Sequence, residues 1–169
     1  MGILPEFRGT MVHNFWATYF GYSSKHAACN AHLLRELRGI SENYGHRWSE
    51  ALSALFIEIK TAVDAAKQEE GVLISERLAA FKEQYRTILE EGEEDAKIPG
   101  VPEEPGKRGR KKQSKAKNLL DRCHKYQHQI LAFMKDFTIP FTNNQAERVL
   151  RMMKLKQKIS GTFRSEEGL

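Results

Sequence analysis

The sequence is short of aspartate. Of its 22 acidic residues 18 are Glu, and the four Asp residues begin only at Asp64. Chemistry that needs an aspartate near the amino terminus is therefore closed to this chain. Cysteine is equally scarce: Cys29 and Cys123 are too few and too far apart for a disulfide framework, which points to a reducing compartment. Long apolar runs are missing as well. None approaches the roughly 20 residues of a membrane span, and the opening MGILPEFRG lacks the basic and apolar parts of a signal peptide. A soluble, cytoplasmic protein with no membrane partner is expected. Its 169 residues, 40% of them hydrophobic, supply one ordinary core and not two full domains.

The net charge of +5 is a sum of separated blocks. Residues 90–104 hold seven acids against one Lys, whereas residues 106–118 hold seven cations, among them Lys107, Arg108, Arg110, Lys111 and Lys112, and no acid. That basic run suits two roles equally: contact with phosphates through counterion release, or a solvated linker that balances the acids before it. A third block, residues 148–164, carries Arg148, Arg151, Lys154, Lys156, Lys158 and Arg164 without an acid. Its pattern is helical, and spacings of three and four put Arg148, Arg151 and Lys154, or Arg151, Lys154 and Lys158, on one face. A phosphate-facing helix fits that arrangement.

Periodicity predicts a mostly α chain with a small α/β part. Residues 10–13 read as a short strand, residues 15–20 as an aromatic turn or helix, and residues 25–30, KHAACN, as a second strand buried on both faces. A helix beginning AHLLREL follows, which makes a strand-helix-strand-helix rhythm. Trp48, Leu52, Leu55, Phe56, Ile59 and Val63 then share one helical face. Leu73, Leu78, Phe81, Tyr85, Ile88 and Leu89 repeat the signal. Three prolines and two glycines between residues 98 and 106 predict a connector. Leu119, Leu120, Cys123, Tyr126, Ile130, Phe133 and Met134 predict a third long helix, and the three helices together a small bundle. The last helix starts near Asn143 and Asn144, both good cap residues, with Glu147 in its first turn.

Two groups of residues invite chemistry. Glu147 stands beside Arg148 and Arg151, although a glutamate in a first helical turn also serves the helix dipole. Cys29 and His32, with His26 just before, have the spacing of half a zinc site; Cys123, His124 and His128 are the later candidates to complete it. The simpler reading is a buried Cys beside a hydrogen-bonded His, so zinc is not expected.

Residues 140–151, PFTNNQAERVLR, closely resemble the signature around the last catalytic acid in the insertion-sequence-66 family of bacterial DDE transposases. The run KQKISGTFRSEEG from Lys156 is similar to the same family. So are, upstream and in order, GILPEFRG from Gly2, VHNFW from Val12 and HAACNAHLLREL from His26. The resemblance spans nearly the whole chain. It implies a ribonuclease-H-like (integrase-like) core in which two Asp and one Glu gather two divalent ions, Mg2+ or Mn2+, for in-line attack on a phosphodiester. Glu147 takes the place of the third acid and ligates the metal, while its helix turns Arg148 and Arg151 towards DNA. Cys29 and His32 match a family Cys-x-x-His element, taken as a structural pair.

Two departures limit what the resemblance implies. The second Asp of the family falls on Asn14, a degenerate position whose neutral amide lacks the charge that holds a divalent cation. The first Asp has no counterpart, because only Glu6 among the acids precedes the second strand. The expected organisation is a partial core at residues 1–40 and a helical insertion at 41–135 with a Pro/Gly and basic linker at 96–118. Residues 136–169 then form the catalytic-Glu helix and a truncated tail. The expected function is that of a transposase fragment related to DNA cleavage and strand transfer, inactive alone. Alternatives are a non-catalytic DNA-binding module and a helical partner of an intact transposase or of itself. The expected partner is DNA at the ends of an insertion element, in the bacterial cytoplasm and at the nucleoid when bound.

Overall fold

The computed structural model describes residues 4–69, 71–96 and 113–160. Two strands, β1 (Thr10–His13) and β2 (Lys25–Ala28), pair in parallel with Thr10 opposite Lys25 and His13 opposite Ala28. The connection between them carries a 3-10 turn, Ala17–Gly21. Phe15 starts this crossover with φ at 65°, a left-handed conformation that bulky residues seldom adopt. Its ring is held 5.3 Å from that of Tyr126, with the Arg122 guanidinium 5.4 Å above it. Before β1 a short 3-10 turn spans Leu4–Glu6.

Among the described residues six α-helices follow: α1 (Asn30–Tyr44), α2 (Arg47–Gln68), α3 (Ser75–Ala96), α4 (Lys115–Lys125), α5 (Gln127–Ile130) and α6 (Asn144–Ser160). The chain is thus mostly helical with a small parallel sheet. Gly45 ends α1 in the left-handed conformation, φ 68°, and its N–H donates to the Ser41 carbonyl. All six apolar residues expected to share a face of α2 are buried. They pack on α1 and α3, and α3 packs on α4. Gly92 permits the last approach: a Cβ there would lie 2.7 Å from Leu120 Cδ2 and 2.9 Å from Trp48 Cγ. The Tyr85 hydroxyl, buried between helices, donates to the Cys123 carbonyl at 3.0 Å.

Three expectations need correction. The third long helix is broken: α4 stops at Lys125, Tyr126 leaves helical geometry (φ −112°, ψ 26°), and α5 and a 3-10 turn at Ala132–Met134 continue. The break turns Ile130 towards β2, where its carbonyl accepts a hydrogen bond from the Asn30 side chain at 3.1 Å. β2 is also shorter than residues 25–30, because Cys29 is the cap of α1 and Asn30 its first residue. Nor is β2 covered on both faces, since Lys25 is exposed. The connector at 98–106 and Lys107, Arg108, Arg110, Lys111 and Lys112 lie outside the described residues.

Asn30 is fully buried and joins β2, α5 and the segment before α6, its backbone N–H donating to the Phe141 carbonyl at 3.0 Å. Replacing it with Ala strands the Ile130 carbonyl and should cost about 1–3 kcal/mol, read as a lower urea midpoint at unchanged slope. Gly92→Ala should cost a similar amount, about 1–3 kcal/mol through overpacking against the Trp48 ring. A midpoint at or above the parent's would show that α2, α3 and α4 are less tightly apposed than described.

Candidate functional site

The carboxyl ends of parallel strands are where open α/β folds place their ligands. Here the strand ends are closed by Cys29, whose backbone N–H donates to the His13 carbonyl at 2.9 Å. The thiol is fully buried, a common state for this small apolar side chain. One turn along α1, His32 turns back so that Nδ1 lies 3.2 Å from Cys29 Sγ. Its other nitrogen, Nε2, lies 3.5 Å from Glu147 Oε1. The side chains of His32 and Glu147 retain 25% and 28% exposure, so the cluster is buried at the thiol and open at the carboxylate.

Glu147 arrives there because the chain before α6 is tied to the strand ends. After Phe141 has accepted from Asn30, the Asn143 backbone N–H points at Cys29 Sγ, 3.3 Å away, and the Asn143 side-chain amide donates to the Val12 carbonyl at 3.3 Å. Asn143 therefore spends its side chain on the sheet instead of capping α6, a correction to the expected cap. Asn144, the other cap candidate, is exposed. The Glu147 N–H takes the ordinary helical bond to the Asn143 carbonyl at 3.1 Å.

Sequence reading had no means to join Glu147 to the Cys29/His32 pair, since 115 positions separate Glu147 from His32. Among the described residues, Cys29, His32 and Glu147 form the one group of three ligating side chains, with donor atoms within 4.8 Å of one another. Cys123, His124 and His128 join no such group. Burial raises the Cys123 thiol pKa to about 12, and His124 instead faces Glu93 at 3.5 Å. Asn14 lies exposed just past β1, at the same end of the sheet. The donor set is thus one sulfur, one nitrogen and one carboxylate. Mg2+ and Mn2+ favour oxygen donors, and the residues present do not fit a pair of such ions.

Of the cations expected to face DNA, those within the described residues are on α6. Arg148, Arg151, Lys154, Lys156 and Lys158 are exposed, and so are Val149, Leu150, Met152, Met153, Leu155 and Ile159 between them. Arg164 lies outside the described residues.

A second titratable pair escaped the sequence reading. His13 is buried among the rings of Phe15, Tyr19, Phe20 and His26. His26 Nε2 sits 3.2 Å from the Tyr22 carbonyl, which only accepts, so that nitrogen carries the proton and His26 Nδ1 is an acceptor. His13 Nε2, 3.1 Å away, therefore donates to it, leaving His13 Nδ1 bare and without a partner. A second proton on His13 would be buried with no acceptor. Burial first, and the neighbouring His26 second, lower the His13 pKa to about 4. The only signal in the sequence was two His in an aromatic stretch; the strand register supplies the rest.

The sign of the pH dependence follows. Above pH 6.5 His13 is neutral in both the folded and the unfolded chain, and the full stability is present. As pH falls from 6.5 to about 4 the unfolded chain binds a proton that the folded one refuses, so stability drops. Its share should be on the order of 2–3 kcal/mol. Urea midpoints across that range should fall less steeply for His13→Gln than for the parent, and parallel curves would show that His13 is not held neutral.

Among the described residues no helix is long and apolar enough to cross a membrane. No curated protein and no solved structure matches the chain. The family model for the transposase IS66 family matches residues 1–169, which is its whole length. The match takes in the motif segments at the amino terminus, around Cys29 and around Glu147, and the chain belongs to the IS66 family of transposases.

Proposed function

We propose that this chain carries the last acid of a transposase catalytic centre, Glu147, together with the DNA-facing helix behind it, and that it does not carry out strand transfer alone. The observation that supports this most is the convergence of Glu147 on the carboxyl ends of β1 and β2 in a member of a transposase family. In this reading residues 1–40 belong to a ribonuclease-H-like core, 41–135 are a helical insertion, and 136–169 contain the acid-bearing helix. Family membership supports DNA as the substrate class; in this reading its specific form is the ends of an insertion element, met in the bacterial cytoplasm.

Two observations argue against independent catalysis. Asn14 stands where the second carboxylate is expected, and no aspartate precedes Asp64. A single carboxylate cannot balance the charge of two divalent cations, so no step of cleavage is assigned to these residues. What the chain can do by itself is electrostatic. The Arg148, Arg151 and Lys154 row lies one turn apart along α6, exposed and continuous with the Glu147 turn. Phosphates along that row would be bound without regard to sequence.

A second reading, a helical partner of an intact transposase or of another copy, is favoured by the six large apolar residues that α6 leaves exposed.

Binding of labelled duplex DNA, followed by fluorescence anisotropy, should weaken steeply with salt. Changing Arg148, Arg151 and Lys154 to Ala should reduce the slope of log K against log salt by about 0.9 for each phosphate that is no longer neutralised. A slope untouched by the triple change would remove α6 from the interface. With terminal-repeat DNA and Mg2+ or Mn2+, no joined product should form. Robust joining by this chain, abolished in Glu147→Gln, would overturn the inactive assignment.

A further inference from the structure

The donors around Glu147 suit a different ion from the one that a carboxylate triad would hold. We infer that Cys29, His32 and Glu147 form a site for a single zinc-class divalent cation. The three ligating atoms lie within 4.8 Å of one another, a separation that small movements of the partly exposed His32 and Glu147 side chains can close around an ion. Thiolate, imidazole and carboxylate are the ligand types of zinc, and three protein ligands leave a fourth position for water or a substrate atom. Mg2+, which prefers six oxygens, gains nothing from the sulfur.

The surroundings are those of a prepared site. The Asn143 backbone N–H, 3.3 Å from Sγ, can donate to a thiolate and hold its lone pairs in place. Cys29 also caps the amino end of α1, where the helix dipole favours a negative sulfur. The backbone of Cys29 is fixed on both sides, by His13 at 2.9 Å and by the His32 N–H donating to its carbonyl at 3.1 Å. His32 now faces the thiol with Nδ1 and the carboxylate with Nε2. An ion takes one ring nitrogen, so one of those contacts gives way to a metal bond, and the thiol proton leaves to solvent. Glu147, at 28% exposure, keeps the entry path open.

An ion held here would occupy the one acid that the transposase chemistry retains. It would also bridge α1 to α6, which side chains otherwise join through the Asn143 N–H bond to Sγ and the His32–Glu147 contact. Zinc at this cluster and DNA along α6 are separate properties, and either experiment can fail without the other.

The test is metal titration of the full chain, reduced and freed of metal. Co2+ should bind one per chain with a thiolate-to-cobalt charge-transfer band, and Zn2+ should displace it while an excess of Mg2+ should not. Cys29→Ser should abolish the band, whereas Cys123→Ser should leave it unchanged. His32→Ala and Glu147→Gln should each weaken Zn2+ binding by at least the roughly 10- to 100-fold that outer-shell partners of a metal are worth. Glu147→Gln keeps the charge-transfer band because its sulfur ligand remains. Glu147 is partly exposed, so this variant should give the parent's circular dichroism spectrum and separates ligation from folding. No band in the parent, a band that survives Cys29→Ser, Zn2+ affinity unchanged in well-folded Glu147→Gln, or displacement by Mg2+ would each overturn the site and leave a hydrogen-bonded Cys-His-Glu chain in its place.

Discussion

Two adjacent residues at the end of β2 hold the chain's distant parts in register. Cys29 and Asn30 donate their backbone N–H groups to His13 and Phe141, Asn30 sends its side-chain amide to Ile130, and Cys29 Sγ receives the Asn143 N–H. Those partners lie up to 114 positions away. Both residues are fully buried, so none of these groups has water as an alternative. Bringing such remote segments together costs loop entropy that grows only slowly with length. Here the cost falls further, because α2, α3 and α4 pack with α1 and the end of β2 into one continuous core and return the chain close to its point of departure. The helical segment is therefore more than an appendage: its packing sets where Ile130 and Phe141 arrive.

The same junction determines the chemistry. By fixing Asn143 against Val12 and Cys29, it leaves Glu147 no choice but to enter beside His32. A carboxylate, an imidazole and a thiol then share one small volume while Asn14, at the neighbouring strand end, contributes no charge. The site's character comes from Glu147's neighbours: a thiol and an imidazole are softer donors than the further carboxylates that a hard cation favours. His13, one residue before Asn14 and kept neutral by burial, adds no negative charge either.

Much of the fold was legible in the sequence, and the parts that were not share a cause. The buried face of α2 was read residue by residue from its period, and β1 was placed at its observed residues, because both signals are local. The break at Tyr126 was invisible. Cys123, Tyr126, Ile130 and Phe133 keep helical spacing across it, while contacts remote in sequence hold the bend: the Asn30 bond to the Ile130 carbonyl, Tyr126 against Phe15 at 5.3 Å and its stacking on Phe20 at 4.7 Å. Asn143 was misread for the same reason. Its side-chain oxygen suits a cap in isolation, but the amide group is drawn to donate to the Val12 carbonyl, 131 positions away, and Oδ1 is left without a partner. Of the candidate site, motif resemblance singled out Cys29, His32 and Glu147 separately. Spacing cannot say that three residues meet when the contact passes through a hundred residues of intervening packing, nor can it reveal a His13–His26 bond that depends on strand register.

α6 carries that dependence to its limit. From Arg148 to Ile159 every side chain is exposed, so beyond its first turn the helix has no apolar face to bury within the described residues. A helix of 17 residues without tertiary packing is marginal in water. Its base is held by Asn143 and by Glu147 against His32. It follows that whatever orders the Glu147 turn also aims the Arg148, Arg151 and Lys154 row. Phosphates docked along that row or a surface covering Leu150 and Met153 would in turn stabilise the turn that holds Glu147. Coupling of that kind needs no wire between sites, because one short helix start serves both.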